Sequence, residues 1–210
     1  AVAKLAEMID NAERPVVVAG NGVNAAQAGV QLQALAEKAG IMVTTSYNGK
    51  GVIAETCEVC AGMLGTWGHA AANRVLAQAD LVVMLGASMG PDYTRFRDPE
   101  LIRPGDQTLV QIDVDPRNAG WVYPVDMAVT GDVGDVLAML AEIGLSGENA
   151  KARTAQGMAI KKKNKYFELP DLPSAQGTVH HTDVVRGLQD FLGPEDLVAL
   201  DAGAQRIWAT

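Results

Sequence analysis

Two rhythms of apolar residues alternate along the first two-thirds of the chain. Val2, Leu5, Ala6 and Ile9 recur three and four apart, the spacing of one helical face. Pro15 ends that helix. The run PVVVAG follows, β-branched and stopped by glycine, which predicts a buried parallel strand. Asn24 is placed to cap a helix over Ala25 to Ala39, and Gly40 is its stop. IMVTT predicts a second strand. The stretch from Ser46 to Gly68 holds Gly49, Gly51, Gly62, Gly65 and Gly68 with little periodicity and reads mostly as loop. Ala70 to Gln78 predicts a helix, and DLVVMLG a third strand. After an irregular stretch around Pro91, Pro99 and Pro104 come the strands LVQIDVD and DMAVTGD. Helices are expected over Val133 to Ile143 and Asn149 to Tyr166.

Strands alternate with helices, and the strands are continuous apolar runs. That pattern predicts an α/β protein with a doubly wound parallel sheet, Rossmann-like, covered on both faces. Such sheets take ligands at the carboxyl ends of their strands, here marked by Gly20, Thr44, Gly86, Asp113 and Gly131. From Glu168 to Thr178 the composition shifts to Pro, Ser, Gly and Gln, as in a linker. Beyond it, His181 to Phe191 predicts a helix and DLVAL a strand, followed by DAGAQRIWAT. One helix and one strand make no independent core, so the tail is expected to open another domain.

Composition narrows the function classes. Hydrophobic residues are 48% and charged residues 20% of the chain, as in a globular protein. The net charge of −8 argues against nucleic acid or anionic membrane as a partner. The basic cluster Lys161, Lys162, Lys163 and Lys165 reads as a solvated helix end. No apolar run approaches the ~20 residues of a membrane span, and the opening residues do not have the pattern of a signal peptide. Cys57 and Cys60 form a C-x-x-C pair, but a structural zinc site wants four ligands. No second pair exists and His69 stands singly, so the expectation is no metal and two reduced thiols of a cytoplasmic protein.

Gly20-Asn21-Gly22-Val23-Asn24-Ala25 lies between a strand and a helix and fits the loose G-x-G-x-x-G/A pattern of diphosphate sites. A tight strand-to-helix turn that needs glycine explains it equally well. Thr44-Thr45 ends the second strand where an NAD site would carry a ribose-binding acid. Gly62 to His69 permits close backbone contact with a flat ligand, or simply packs over a sheet edge. His69 reads as a helix-start residue. Asp115 before Pro116 reads as a cap, Asp113 as a ligand acceptor, and Asp132 as either. No Ser-His-Asp or Cys-His set is present in the pattern, so no catalytic residue is assigned.

Six stretches, RPVVVAGNGV, TTSYNGKGV, GMLGTWGHAAAN, ADLVVMLGA, QIDVDP and VTGDV, occur in an order that resembles the central domain of thiamine-diphosphate-dependent enzymes. GMLGTWG with AAN is most similar to the acetolactate synthase branch. The resemblance implies a fold of the deoxyhypusine-synthase-like NAD/FAD-binding type. It implies a central domain over 1–167, a linker over 168–179 and the truncated start of the diphosphate-binding domain over 180–210. The whole enzyme would use thiamine diphosphate and Mg²⁺ to decarboxylate a small 2-oxo acid and transfer the remaining unit. Its other partners would be the missing domains of the same chain and further copies, as a dimer or tetramer. This stretch alone is expected to be inactive.

In flavin-containing members the central domain holds FAD; some relatives hold ADP and others nothing. Carried over by position, the contacts would be Gly20, Asn21, Gly22, Ser46, Tyr47, Asn48, Gly49, Leu64, Gly65, Thr66, Trp67, Gly68, Asp113, Val114 and Asp132. Gly203, Ala204 and Gln205 match the loop that touches thiamine diphosphate. The flavin-binding branch carries arginines after the third-strand glycine. Here Gly86 is followed by Ala87-Ser88-Met89-Gly90, and the first arginines are Arg95 and Arg97.

Overall fold

A computed structural model of the chain describes residues 1–168, 176–193, 195–199 and 203. The chain divides into two compact units, Ala1–Tyr166 and Phe167–Thr210.

The first unit is built on six parallel strands: β1 (Pro15–Ala19), β2 (Met42–Thr45), β3 (Cys60–Met63), β4 (Leu81–Leu85), β5 (Thr108–Asp113) and β6 (Met127–Thr130). Their order is β3-β2-β1-β4-β5-β6. The chain winds outward in one direction from β1 and in the other from β4, which makes the fold doubly wound. Val16 pairs with Met42 on one side of β1 and with Val82 on the other.

Helices cover both faces because the central strands are apolar on both. Val17, Val43, Val83 and Val110 point to one core, shared with α1 (Val2–Asn11), α3 (Gly29–Ala39) and α5 (Val133–Ile143). Val16, Val18, Met42, Val82 and Met84 point to the other, shared with α4 (Ala70–Gln78). α6 (Ala150–Lys163) contributes Ile160 to that second core. Leu5 and Ile9 of α1 are almost fully buried. Each such side chain contributes roughly 1.5–3 kcal/mol of transfer free energy.

Four expectations are corrected. The segment Ser46 to Gly68 is loop over most of its length, as expected, but it also contains β3, paired with β2 across a register shift between Val43 and Thr44. β3 is short, lacks β-branched residues and carries Gly62 at φ +84°, so no strand pattern marks it. The helix expected from Ala25 to Ala39 is two helices, α2 (Asn21–Ala25) and α3. Gln27 at φ 51° breaks it, and a Cβ at Gly29 would collide with the Val52 carbonyl. Asn24 therefore caps nothing; it sits inside α2, whose N-cap is Gly20, and its Nδ2 donates to the Asn48 carbonyl at 3.4 Å. Gly40, by contrast, ends α3 in the left-handed conformation as expected.

The third correction concerns the basic cluster. Lys162, Lys163 and Lys165 are exposed, but Lys161 is fully buried. Its Nζ donates to the carbonyls of Cys57 (2.9 Å) and Glu58 (3.3 Å) and lies 4.5 Å from the Tyr166 ring centroid. The helix end is solvated on one side only.

In the second unit, α7 (His181–Phe191) forms where expected. His180 Nδ1 accepts the Thr182 amide (3.2 Å), and Asp183 accepts the His180 amide (3.3 Å), closing a capping box. The fourth correction lies here: Asp196 to Ala199 form no strand and pair with nothing among the described residues, and Leu197 is 99% exposed. Leu200 of that stretch, most of the linker and Ala204 and Gln205 lie outside the described residues; Gly203 is exposed.

Candidate functional site

The reversal of winding between β1 and β4 opens a crevice at the carboxyl ends of the strands. Backbone hydrogen bonds continue past the strands at this point. The Gly20 amide donates to the Leu85 carbonyl (2.9 Å), Gly22 to Gly86 (3.0 Å) and Gly86 to Ile112 (2.8 Å). Gly20, Gly22 and Gly86 meet backbone to backbone: a Cβ on Gly22 would lie 2.7 Å from the Gly86 Cα. The glycines of the G-x-G pattern thus serve the crossing of two turns. The Gly22 amide is committed to Gly86.

Beside this crossing lies a cavity of about 240 Å³. Of the residues carried over from the resemblance, Asn21, Gly22, Ser46, Asn48, Leu64, Asp113, Val114 and Asp132 line it. Gly20, Tyr47, Gly49, Gly65, Thr66, Trp67 and Gly68 do not. Their positions explain why. Tyr47 stacks on Tyr93 at 5.8 Å between centroids, and a Cβ on Gly49 would strike the Ala19 carbonyl. Asn73 of α4 holds Gly65 by both backbone groups, accepting its amide (2.7 Å) and donating to its carbonyl (3.0 Å). Thr66 Oγ1 donates to the Asp92 carbonyl at 3.3 Å, and Trp67 is 54% exposed. Sequence reasoning missed Asn73, although it follows the glycine loop in a stretch of alanines. It also missed Ser88, Tyr93, Thr94 and Asn118, which complete the cavity wall from loops without periodicity.

The cavity holds two carboxylates and no cation. Asp113 Oδ1 accepts the Asp115 amide at 2.9 Å. Asp132 Oδ1 caps α5, accepting the amides of Gly134 (2.7 Å) and Asp135 (3.4 Å). The second oxygen of each is without a partner among the described residues. Asp115 is the N-cap of the turn Pro116–Asn118; Arg117, hydrogen-bonded to it, holds its carboxyl at about 2. Arg95 and Arg97 do not line the cavity, and Arg95 pairs with Asp98 at 3.2 Å. A diphosphate placed here would meet no lysine or arginine.

Other candidates have structural duties. His69 caps α4, its Nδ1 accepting the Ala71 amide at 3.0 Å. Cys57 is half-buried and Cys60 buried, both free. Burial pushes the Cys57 thiol up and the Cys60 thiol to about 11. Among the described residues no three His, Cys, Asp or Glu side chains are grouped to hold a metal ion, and no helix is long and apolar enough to cross a membrane.

The sequence pattern of the thiamine pyrophosphate enzyme central domain matches residues 2–140. The chain belongs to that family. Within the family it is similar to acetolactate synthases. It is 33% identical over its whole length to the acetolactate synthase large subunit of Parasynechococcus marenigrum, covering 33% of that protein. It is 28% identical to the isozyme 1 large subunit of Escherichia coli, over 97% of this chain and 34% of that one. The sulfoacetaldehyde acetyltransferase of Alcaligenes xylosoxydans xylosoxydans is 33% identical over 94% of this chain and 37% of its own. The chain therefore spans about a third of the length of these thiamine pyrophosphate enzymes.

Proposed function

We propose that this chain is the central part of an acetolactate-synthase-like enzyme that decarboxylates a small 2-oxo acid and transfers the product. Thiamine diphosphate would supply the carbanion chemistry, held with Mg²⁺ by parts of the enzyme outside the central domain. The domain itself, 1–167, acts as scaffold and as a weak nucleoside site. The observation that carries this reading is the cavity wall: Asp113 and Asp132 each offer a carboxylate oxygen, and no lysine or arginine is present. Two carboxylates suit the paired hydroxyls of a ribose. They disfavour the phosphates that follow it, because like charges repel in a confined site. The volume of about 240 Å³ is also below the ~300–1,000 Å³ of sites that enclose a large ligand. The residues present do not fit the diphosphate of FAD.

Calorimetric titration with adenosine, ADP and FAD tests this. Adenosine is expected to bind as well as ADP, and FAD no better than either. FAD binding a hundredfold tighter than adenosine would overturn it. A second assay concerns the enzyme. With thiamine diphosphate, Mg²⁺ and pyruvate, this chain is expected to release no CO₂. A full-length protein containing it should do so.

A further inference from the structure

Cys57 and Cys60 stand at the two ends of one tight turn. The Cys60 amide donates to the Cys57 carbonyl at 3.3 Å, with Glu58 and Val59 between them. A four-residue turn closed in this way keeps its end Cα atoms within about 7 Å. A disulfide spans roughly 4.4–6.8 Å between Cα atoms, so the turn sets the two cysteines at a separation that a disulfide can bridge. Both side chains also reach the same core. Cys60 opens β3 opposite Val43 and belongs to the core beneath α1, α3 and α5, and Cys57 packs against that core.

The turn is clamped through its backbone. The Cys57 amide donates to the Ala54 carbonyl (3.1 Å), and the Val43 amide to the Val59 carbonyl (2.8 Å). The Lys161 ammonium, fixed on the carbonyls of Cys57 and Glu58, ties the turn to α6. A backbone held at these points leaves closure to the rotation of two short side chains. Access to the thiols is unequal. Both are free, but Cys57 is half-buried whereas Cys60 is fully buried. A reagent from solvent meets Cys57 first. Among the described residues no group of three metal-ligating side chains includes the pair, which leaves chemistry between the two sulfurs.

We propose that Cys57 and Cys60 form a reversible redox catch, closed to an intramolecular disulfide by a low-molecular-weight disulfide such as oxidised glutathione. The Cys57 thiol loses its proton to solvent, and the thiolate attacks one sulfur of the reagent. The reagent's S–S bond breaks, and one glutathione leaves as thiolate. Cys60 then attacks the Cys57 sulfur and gives its proton to the second glutathione as that departs. Two protein thiols are oxidised, and one glutathione disulfide is reduced to two thiols. The first step is slow, because burial keeps the Cys57 thiol protonated. Cys60 never carries the reagent. β3 lies at the edge of the sheet, with β2 as its neighbour, so the bond pins the sheet where it has fewest partners. Neither cysteine lines the nucleoside cavity, and the catch stands or falls independently of that site.

The test is to incubate the folded 210-residue chain with oxidised glutathione and follow its intact mass. The expected product has lost two hydrogens, carries no glutathione and returns to the dithiol with dithiothreitol. Its circular dichroism spectrum should be unchanged and its melting temperature no lower than that of the dithiol. Cys60→Ser removes the resolving thiol, so this variant should accumulate glutathione on Cys57. Cys57→Ser should stay unmodified while folded. Glutathione held stably on Cys57 of the wild type would show that Cys60 cannot reach it and would overturn the proposal. So would disulfide-linked dimers, a lowered melting temperature, modification of Cys60 in folded Cys57→Ser, or two intact thiols after overnight incubation.

Discussion

The Gly22 amide donates to the Gly86 carbonyl at 3.0 Å, and this bond ties the turn after β1 to the turn after β4. There is no space between them for a methyl group. Gly86 also stands at φ +57°, with its missing Cβ 2.6 Å from the Gly22 Cα. Gly86→Ala should therefore lose about 2–4 kcal/mol in urea unfolding, overpacking and backbone strain together. Gly51 is the control: it has φ +85° but nothing within 4 Å of a Cβ. Gly51→Ala should lose only ~1 kcal/mol. Equal losses would show that the crossing is not the cause.

His69 makes the stability of α4 depend on pH. Its Nδ1 accepts an amide proton, so the folded state needs the neutral ring. Burial lowers its pKa from 6.5, against a smaller opposing pull from Glu55. The unfolded chain thus takes up the proton first as pH falls. The contribution of His69 is complete above about pH 6.5 and declines below it, towards the lower folded pKa. His69→Asn keeps a capping side chain without titration. The stability difference between wild type and His69→Asn should shrink between pH 7.5 and 5.5; a constant difference would remove His69 from the account.

Neighbouring lysines should behave unequally. Lys161→Met leaves the carbonyls of Cys57 and Glu58 without their donor and should cost about 1–3 kcal/mol. Lys162→Met, on the exposed side, should stay within ~0.5 kcal/mol. Thermal melts of the two variants decide between a buried structural lysine and a uniformly solvated cluster.

The thiols should be slow. Cys60 is buried and held at about 11, and Cys57 is also raised, so little thiolate exists at pH 7.5. A disulfide-exchange reagent should modify Cys57 slowly and Cys60 only on unfolding. Rapid loss of both thiols in the native state would mean that the turn joining them opens.

The α/β class and five of the six strands were legible because each of those strands is a compact run bounded by turn residues, as PVVVA and LVVML show. β3 was hidden because CAGM becomes a strand only by pairing with β2. The break at Gln27 was hidden for a similar reason: it depends on the Val52 carbonyl approaching Gly29. The cavity was half legible. Asp113 and Asp132 announced themselves at strand ends, whereas the retreat of Gly65 and Thr66 depends on Asn73 and Asp92. Lys161 was misread because charge suggests solvent, and only tertiary packing supplies the buried carbonyls it meets.

The three-glycine crossing also limits how this domain can be altered. Because Gly22 and Gly86 line the cavity and touch through their backbones, that part of its wall cannot be reshaped by exchanging these residues. Any change in the shape or charge of the cavity has to be written on its other lining residues. Ser88, Asp113, Asn118 and Asp132 line it as well, and of these Asp113 and Asp132 also hold backbone amides of the segments that follow them.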